Sequence, residues 1–156
     1  MDKVLLLGRI VATLQSDMQV LQRAAQTAYE AATAEENIAE NKYDTLGLEA
    51  SYLATGQARR SAEIRQALLT YQQLLLRDYD PARGVQVSSL VTLEDEHGAR
   101  RLFFVGPEAA GLKIDEGAQQ VTVITPRAPL GQQLLGRRVD DEVSLGAQIF
   151  FIVAIA

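Results

Sequence analysis

Two long helical patterns of the same period, separated by one acidic stretch, limit what this chain can fold into more than any other feature. From residue 3 to about 36 there is no proline and one glycine, Gly8. Apolar side chains recur there at Leu7, Val11, Leu14, Met18, Leu21, Ala25, Ala28 and Ala32, at alternating spacings of 4 and 3. That is a heptad seam, and the alanine-rich stretch from Arg23 to Ala34 adds intrinsic helix propensity. The second pattern runs from Leu46 to about Arg77, with Ala50, Ala54, Gln57, Ser61, Ile64, Leu68, Tyr71 and Leu75 in the same rhythm. Gly56 costs about 1 kcal/mol relative to alanine without needing to break that helix.

Both seams are graded in size. Leu and Met fill the first seam far from the acidic stretch, Ile, Leu and Tyr fill the second, and near the acidic stretch both shrink to alanine. In an antiparallel hairpin Ala25, Ala28 and Ala32 would face Ala50 and Ala54, letting the axes approach the close end of the usual range of about 8–10 Å. About 30 residues per arm predicts a tapering rod roughly 45 Å long. Heptads alone also suit a coiled-coil spacer or a dimerisation hairpin, but such a rod has no reason to end thin and acidic.

The joining stretch, Glu35 to Thr45, concentrates the charge of the protein. Residues 30–49 hold six acids (Glu30, Glu35, Glu36, Glu40, Asp44 and Glu49) against Lys42 alone, a surplus equal to the net charge of −5 of all 156 residues. An acidic balance argues against general affinity for nucleic acid, which needs clustered Lys and Arg. Arg59, Arg60, Arg65 and Gln66 follow on the second helix; Arg59 and Gln66 are candidates for an outward face that RNA could pass. With 47% apolar and 22% charged residues the chain reads as folded and soluble. The absence of cysteine removes disulfides and thiolate metal sites. No apolar run approaches the roughly 20 residues that span a bilayer, and the apolar start is too short for a signal peptide. The expectation is a cytoplasmic protein with no membrane partner.

Beyond residue 78 the period changes from 3.6 to 2. Residues 1–78 are expected to form the hairpin, with its tip near 35–46, residues 79–84 a linker around Pro81 and Gly84, and residues 85–156 a small α+β domain. Val85 to Val87 with Leu90 to Leu93 reads as one kinked strand, Glu94 to Gly98 as a turn, and Arg101 to Val105 as the returning strand of a hairpin. Gln120 to Thr125, Glu142 to Leu145 and Gln148 to Ile155 read as further strands, the last apolar enough to be central. Pro129 to Gly136 suits a short helical turn. His97, the single histidine, reads as a solvated turn residue. No nucleophile–base pair and no phosphate-binding glycine loop is legible, so the chain is not read as an enzyme and no small-molecule substrate is expected.

Four blocks of this second half resemble the C-terminal domain of the GreA/GreB transcription elongation factors. They are Val87-Ser88-Ser89-Leu90-Val91-Thr92-Leu93, Phe104-Val105-Gly106-Pro107-Glu108-Ala109, Val121-Thr122-Val123-Ile124-Thr125-Pro126, and Pro129-Leu130-Gly131 with Leu134-Leu135-Gly136 and Asp140-Asp141-Glu142-Val143. The last looks like the family's "SPLG-x-x-LLG-x-x-x-x-D-x-V", with Ala128 in place of the serine and the final hairpin turn shortened to Leu145-Gly146-Ala147. The chain thus looks like a short, divergent member of that family.

The resemblance implies an N-terminal antiparallel coiled-coil hairpin followed by a small FKBP-like α+β domain with an antiparallel sheet. Prolyl isomerase activity is not expected, because this half is poor in aromatic residues. The implied partner is RNA polymerase, with nascent RNA as a further one. The globular half would dock at the channel rim through Pro107, Glu108, Pro129, Gly131, Leu134 and Gly136. The acidic tip would enter the secondary channel, placing Glu36, Glu40, Asn41 and Asp44 near the polymerase active site. In the family the tip helps hold a catalytic Mg²⁺; this chain would hold no cofactor of its own but share that ion through Glu40 and Asp44. Carboxylates suit Mg²⁺ because it takes hard oxygen ligands, and two metals clamp the attacking and leaving oxygens. The family tip resembles "G-D-L-K-E-N-A-E-Y". Matching its Glu-Asn to Glu40-Asn41 puts the first family acid on Asn37, an amide, and leaves Glu36 about 100° away if the segment is helical. Stimulated transcript cleavage and a non-cleaving occupancy of the channel therefore both stay open, beside a coiled-coil structural or adaptor role from another class.

Overall fold

The computed structural model describes residues 1–33 and 45–156, and the side chains of 1–31 and 56–156. Its elements are α1 (Lys3–Thr33), α2 (Thr45–Gln72), β1 (Leu90–Asp95), β2 (Arg100–Val105), β3 (Lys113–Glu116), β4 (Gln119–Ile124), α3 (Pro129–Leu134), β5 (Glu142–Leu145) and β6 (Gln148–Ile155). The chain divides into two compact units, Val11–Leu69 and Met1–Ile10 with Thr70–Ala156. The expected linker at 79–84 thus lies inside the second of these, which also takes the first helical turns of α1 and the last residues of α2. Because both of those ends share one unit, α1 and α2 run in opposite directions.

Within the helical unit the seam lies where the heptads put it. Leu14 and Ala28 of α1 and Ser61, Ile64 and Leu68 of α2 are buried, while Val11, Met18, Leu21 and Ala25 are half-buried. Gly56 leaves α2 unbroken. Ala32, Ala50 and Ala54, expected to pack across the hairpin, lie outside the described side chains. Below Val11 the seam shifts by one residue: Leu6 and Ile10 are fully buried, and Leu7 is only half so. A straight α-helix drifts about 20° per heptad against a strict 3.5-residue repeat, and these turns belong to the globular unit.

At its far end α2 stops at Gln72, five residues before the expected Arg77, and Leu75, expected on the seam, is 75% exposed. No proline or glycine stands there; tertiary bonds override local propensity. Lys3 Nζ donates to the carbonyl oxygens of Arg77 and Ser88, and the Arg77 N–H donates to Ser88 Oγ at 2.9 Å.

By length and composition alone α1 could cross a membrane: an 18-residue window within Lys3–Ala31 reaches a mean hydropathy of 1.3. That corrects the expectation that no stretch approaches spanning length. Within that window Leu6, Ile10 and Leu14 are buried against protein, 17% of its residues.

The sheet has the order β3-β4-β2-β1-β6-β5. Its pairs are antiparallel except β2 with β4, which run parallel from Leu102↔Val121 to Val105↔Ile124. The domain is therefore α+β with a mixed sheet, not the antiparallel sheet expected. The cause is β3, a four-residue strand that was not foreseen: the loop after β2 carries the chain to the sheet edge as β3, and a Gly117–Ala118 turn folds it back as β4 between β3 and β2. Gly117 takes φ +60°, open to glycine at little cost. The shortened last hairpin uses the same device, with Gly146 at φ +63° between Leu145 and Gln148.

Val85 to Val87 do not extend β1 as expected. Val85 instead pairs with the segment after α3, its N–H donating to Arg137 O and its carbonyl accepting from Gly136 N–H, both at 2.8 Å, and Ser88 turns the chain at φ +81°. A register shift between Thr92 and Leu93 marks a bulge against β6. On one face Val91, Leu93, Phe103, Val105, Phe150 and Ile152 form the core with Leu130 and Leu134 of α3.

Candidate functional site

The expected tip residues Glu36, Glu40, Asn41 and Asp44, and Asn37 among them, lie outside the described residues. The structure bounds their segment: α1 ends at Thr33 and α2 begins at Thr45, so residues 34–44 join two antiparallel arms. They contain Glu35, Glu36, Glu40 and Asp44 against Lys42. Among the described residues no group of three or more His, Asp or Glu is placed to hold a metal ion. Farther along α2, Arg59, Arg65 and Gln66 are exposed, and Arg60 pairs with Glu63 at 3.3 Å.

The expected docking residues fall into two sets. Leu134 is fully buried in the sheet core, and Gly131 is buried where α3 passes the end of β4. A Cβ at Gly131 would stand 1.9 Å from the carbonyl oxygen of Thr125, so only glycine lets α3 lie this close. Gly136 turns the chain after α3 at φ +79°, and its carbonyl comes so near the chain that a Cβ on Gly84 would stand 2.4 Å from it. These three hold the fold, and the buried Gly131 and Leu134 have no side chain to offer a partner. Pro107, Glu108 and Pro129 keep surface exposed. Ala128, where the quoted pattern has a serine, occupies the N-cap of α3 and supplies no side-chain hydrogen bond.

Around Pro107 and Glu108 the geometry is tight. Tyr71, fully buried at the end of α2, donates its hydroxyl to the Glu108 carbonyl at 2.6 Å. Burial pushes its phenol well above the usual tyrosine range, and the Glu108 charge adds to that. The Glu108 carboxylate reaches Arg127 at 3.3 Å, an exposed pair worth at most about 1 kcal/mol. Lys3, half-buried, has its ammonium pKa lowered by burial against an opposing pull from Asp78. Arg9 bonds the Asp115 carbonyl and the Glu116 carboxylate, each at 2.8 Å, fixing the start of α1 to the β3–β4 hairpin.

Beside this cluster an open groove of about 610 Å³ is lined by Leu74, Leu75, Arg77, Gln86, Val87 and Pro107 among others. Its apolar lining follows from the early end of α2, which turns Leu75 outward. Sequence reading assigned Leu75 to the helix seam and so missed the groove. The one available signal was Pro107, already singled out for docking.

No protein-family model and no curated protein matches the chain. Among solved structures it is similar to the GreA factor homolog 1 (Gfh1) protein of Thermus thermophilus, at 23% identity over 94% of this chain and 94% of that one, with a TM-score of 0.39. It is also similar to Thermus aquaticus Gfh1, at 23% identity over 95% and 92% with a TM-score of 0.38. A third, of the transcription factor Gfh1, shares 25% identity over 96% and 92% with a TM-score of 0.39.

Proposed function

We propose that the chain is an accessory factor of bacterial RNA polymerase of the GreA/GreB kind, acting in the cytoplasm with its helical hairpin inserted in the secondary channel. One observation carries this reading: two long helices, α1 and α2, run in opposite directions and are joined by a segment with four acids against one base, in a chain whose other part is a mixed-sheet domain. The family-like block from Pro129 to Val143 supports it, since Gly131 meets a close steric demand, Gly136 takes a positive φ, and Leu130, Leu134 and Val143 enter the core. A narrow rod suits passage through a pore, and a carboxylate-bearing end suits a site whose catalytic ions take oxygen ligands. Docking is assigned to Pro107, Glu108 and Pro129 and the groove beside them, where Leu75 offers apolar area that a partner would cover.

In this reading Glu40 is the carboxylate that reaches the polymerase Mg²⁺, with Asp44 as its partner and Glu36 beside them, and nascent RNA passes the Arg59 and Gln66 face of α2. The chain supplies no nucleophile; the polymerase performs the chemistry, and the added carboxylates position a metal between attacking and leaving oxygens. A second form is favoured by Asn37, which stands where the family pattern has its first acid: a factor that fills the channel and modulates transcription without promoting cleavage. A transcript-cleavage assay on backtracked polymerase separates the two. Cleavage lost in Glu40→Ala/Asp44→Ala supports metal sharing. Binding without any acceleration of cleavage in the parent chain supports occupancy alone, and no effect on the polymerase in any assay would sink both.

A further inference from the structure

At the β3 edge of the sheet a depression of about 330 Å³ is lined by Arg100, Arg101, Lys113, Gln119, Gln120 and Thr122 among others, and by no aspartate or glutamate. This is unusual on a chain with 20 acids and 15 bases. Register explains the grouping: Lys113 lies opposite Thr122, and Thr122 opposite Phe103, so Lys113, Thr122 and the β2 position two residues before Phe103, which is Arg101, share one face. Arg100 is already committed, its Nε donating to Glu94 at 2.8 Å. Arg101 and Lys113 are not: among the described residues no carboxylate lies within ion-pairing distance of either.

The Arg101 guanidinium stacks 5.2 Å from the centre of the buried Phe103 ring. A cation over a ring face is attracted to it, and the guanidinium keeps planar N–H donors of the kind that match the oxygens of a phosphate. Lys113 sits two strands away and two residues along, roughly 12 Å by sheet spacing, on a long flexible stem; Asp115, across from Arg101 on the same face, is engaged by the Gln120 amide at 2.9 Å. The Thr122 hydroxyl and the Gln119 amide add neutral donors. No exposed aromatic lines the depression, so bases have no stacking platform there.

We infer that this depression binds the phosphodiester backbone of nucleic acid, without reading bases, through Arg101 and Lys113. The inference does not rest on the polymerase reading, because its residues belong to the sheet and the proposed channel residues do not. Backbone contact of this kind is weak and steeply salt-dependent: two neutralised phosphates give a log–log slope of about −1.4 for a single strand and about −1.8 for duplex DNA.

The test is fluorescence anisotropy with the full chain, using a labelled single-stranded RNA, a labelled duplex DNA and labelled polyglutamate across a salt series. The parent is compared with Arg101→Glu/Lys113→Glu and with an equally charged control, Arg83→Glu/Arg137→Glu; circular dichroism confirms that each variant folds. Binding of either nucleic acid, at least tenfold weaker in the Arg101/Lys113 variant, within twofold of parent in the control and insensitive to sequence, supports the site. The arm that binds tighter identifies whether transcript or template is the source. No nucleic-acid binding at low salt, equal loss in the control, or polyglutamate bound as tightly as RNA would each overturn it.

Discussion

The hydroxyl of Tyr71 occupies the space that a side chain at Gly106 would need: a Cβ there would stand 2.0 Å from Tyr71 Oη and 3.1 Å from Cζ. The same hydroxyl donates to the Glu108 carbonyl two residues farther on, so the end of α2 is fitted to the loop that carries Pro107 and Glu108. Gly106→Ala is expected to cost about 2–3 kcal/mol, the upper part of the usual overpacking range. Tyr71→Phe removes the clashing oxygen at a cost of about 1 kcal/mol for the lost hydrogen bond. In the Tyr71→Phe background Gly106→Ala should therefore cost at least about 1 kcal/mol less than in the parent. Urea denaturation of the four proteins checks this; additive losses would contradict it.

Tyr71 also sets an alkaline limit. Its folded pKa is raised above the ordinary 10.0 by burial. Above that value the unfolded chain releases the proton while the folded chain keeps it, so the unfolded state binds fewer protons and stability falls as pH rises. Below pH 10 the contribution is fully present. Between about pH 10 and about pH 12 the unfolding free energy of the parent, measured in urea, should fall faster than that of Tyr71→Phe, by at most about 1.4 kcal/mol per pH unit. Parallel curves would refute the assignment.

At the start of α3, Ala128 has extended backbone, φ −70° and ψ 150°, and caps nothing with its side chain. Ala128→Ser should stabilise by about 1 kcal/mol, because a serine at this position can accept from a free helix N–H. Thermal unfolding would show a melting temperature raised by a few degrees; no change would mean the first turn is already satisfied otherwise.

Gly131 makes the opposite prediction. Gly131→Ala places Cβ against the Thr125 carbonyl, part of the backbone and unable to rotate away, so a loss of about 3 kcal/mol is expected. A variant as stable as the parent in urea would show that α3 can lift off the sheet at little cost.

How much of this was legible depends on which force fixes each element. The seams of α1 and α2 could be read because burial of Leu14, Ile64, Leu68 and Tyr71 repeats with helical period, and β6 because its apolar run is long. The early end of α2 at Gln72 and the exposure of Leu75 accompany bonds made by Lys3, Ser88 and Arg77, and the slip to Leu6 and Ile10 accompanies the packing of those turns in the globular unit; no local pattern encodes either. β3 escaped because three of its four residues, Lys113, Asp115 and Glu116, are charged, and with it escaped the parallel pairing of β2 and β4. Gly131, Leu134 and Gly136 stand out by family-like spacing; the fold explains that spacing by close packing and by a turn that glycine permits. The Arg101–Phe103 stack joins residues on neighbouring positions of one strand face, and only the fold reveals that Lys113 stands on the same face.

The central proposal is that residues 34–44 enter the secondary channel of RNA polymerase. Site-specific photocrosslinking from position 41, with the core polymerase of the organism that encodes the chain, tests it most directly. The expected result is a crosslink to residues lining the secondary channel, abolished when the docking surface is altered by Leu75→Asp and Glu108→Arg. A crosslink confined to the outer surface of the polymerase, or none under conditions where the two proteins bind, would contradict the account.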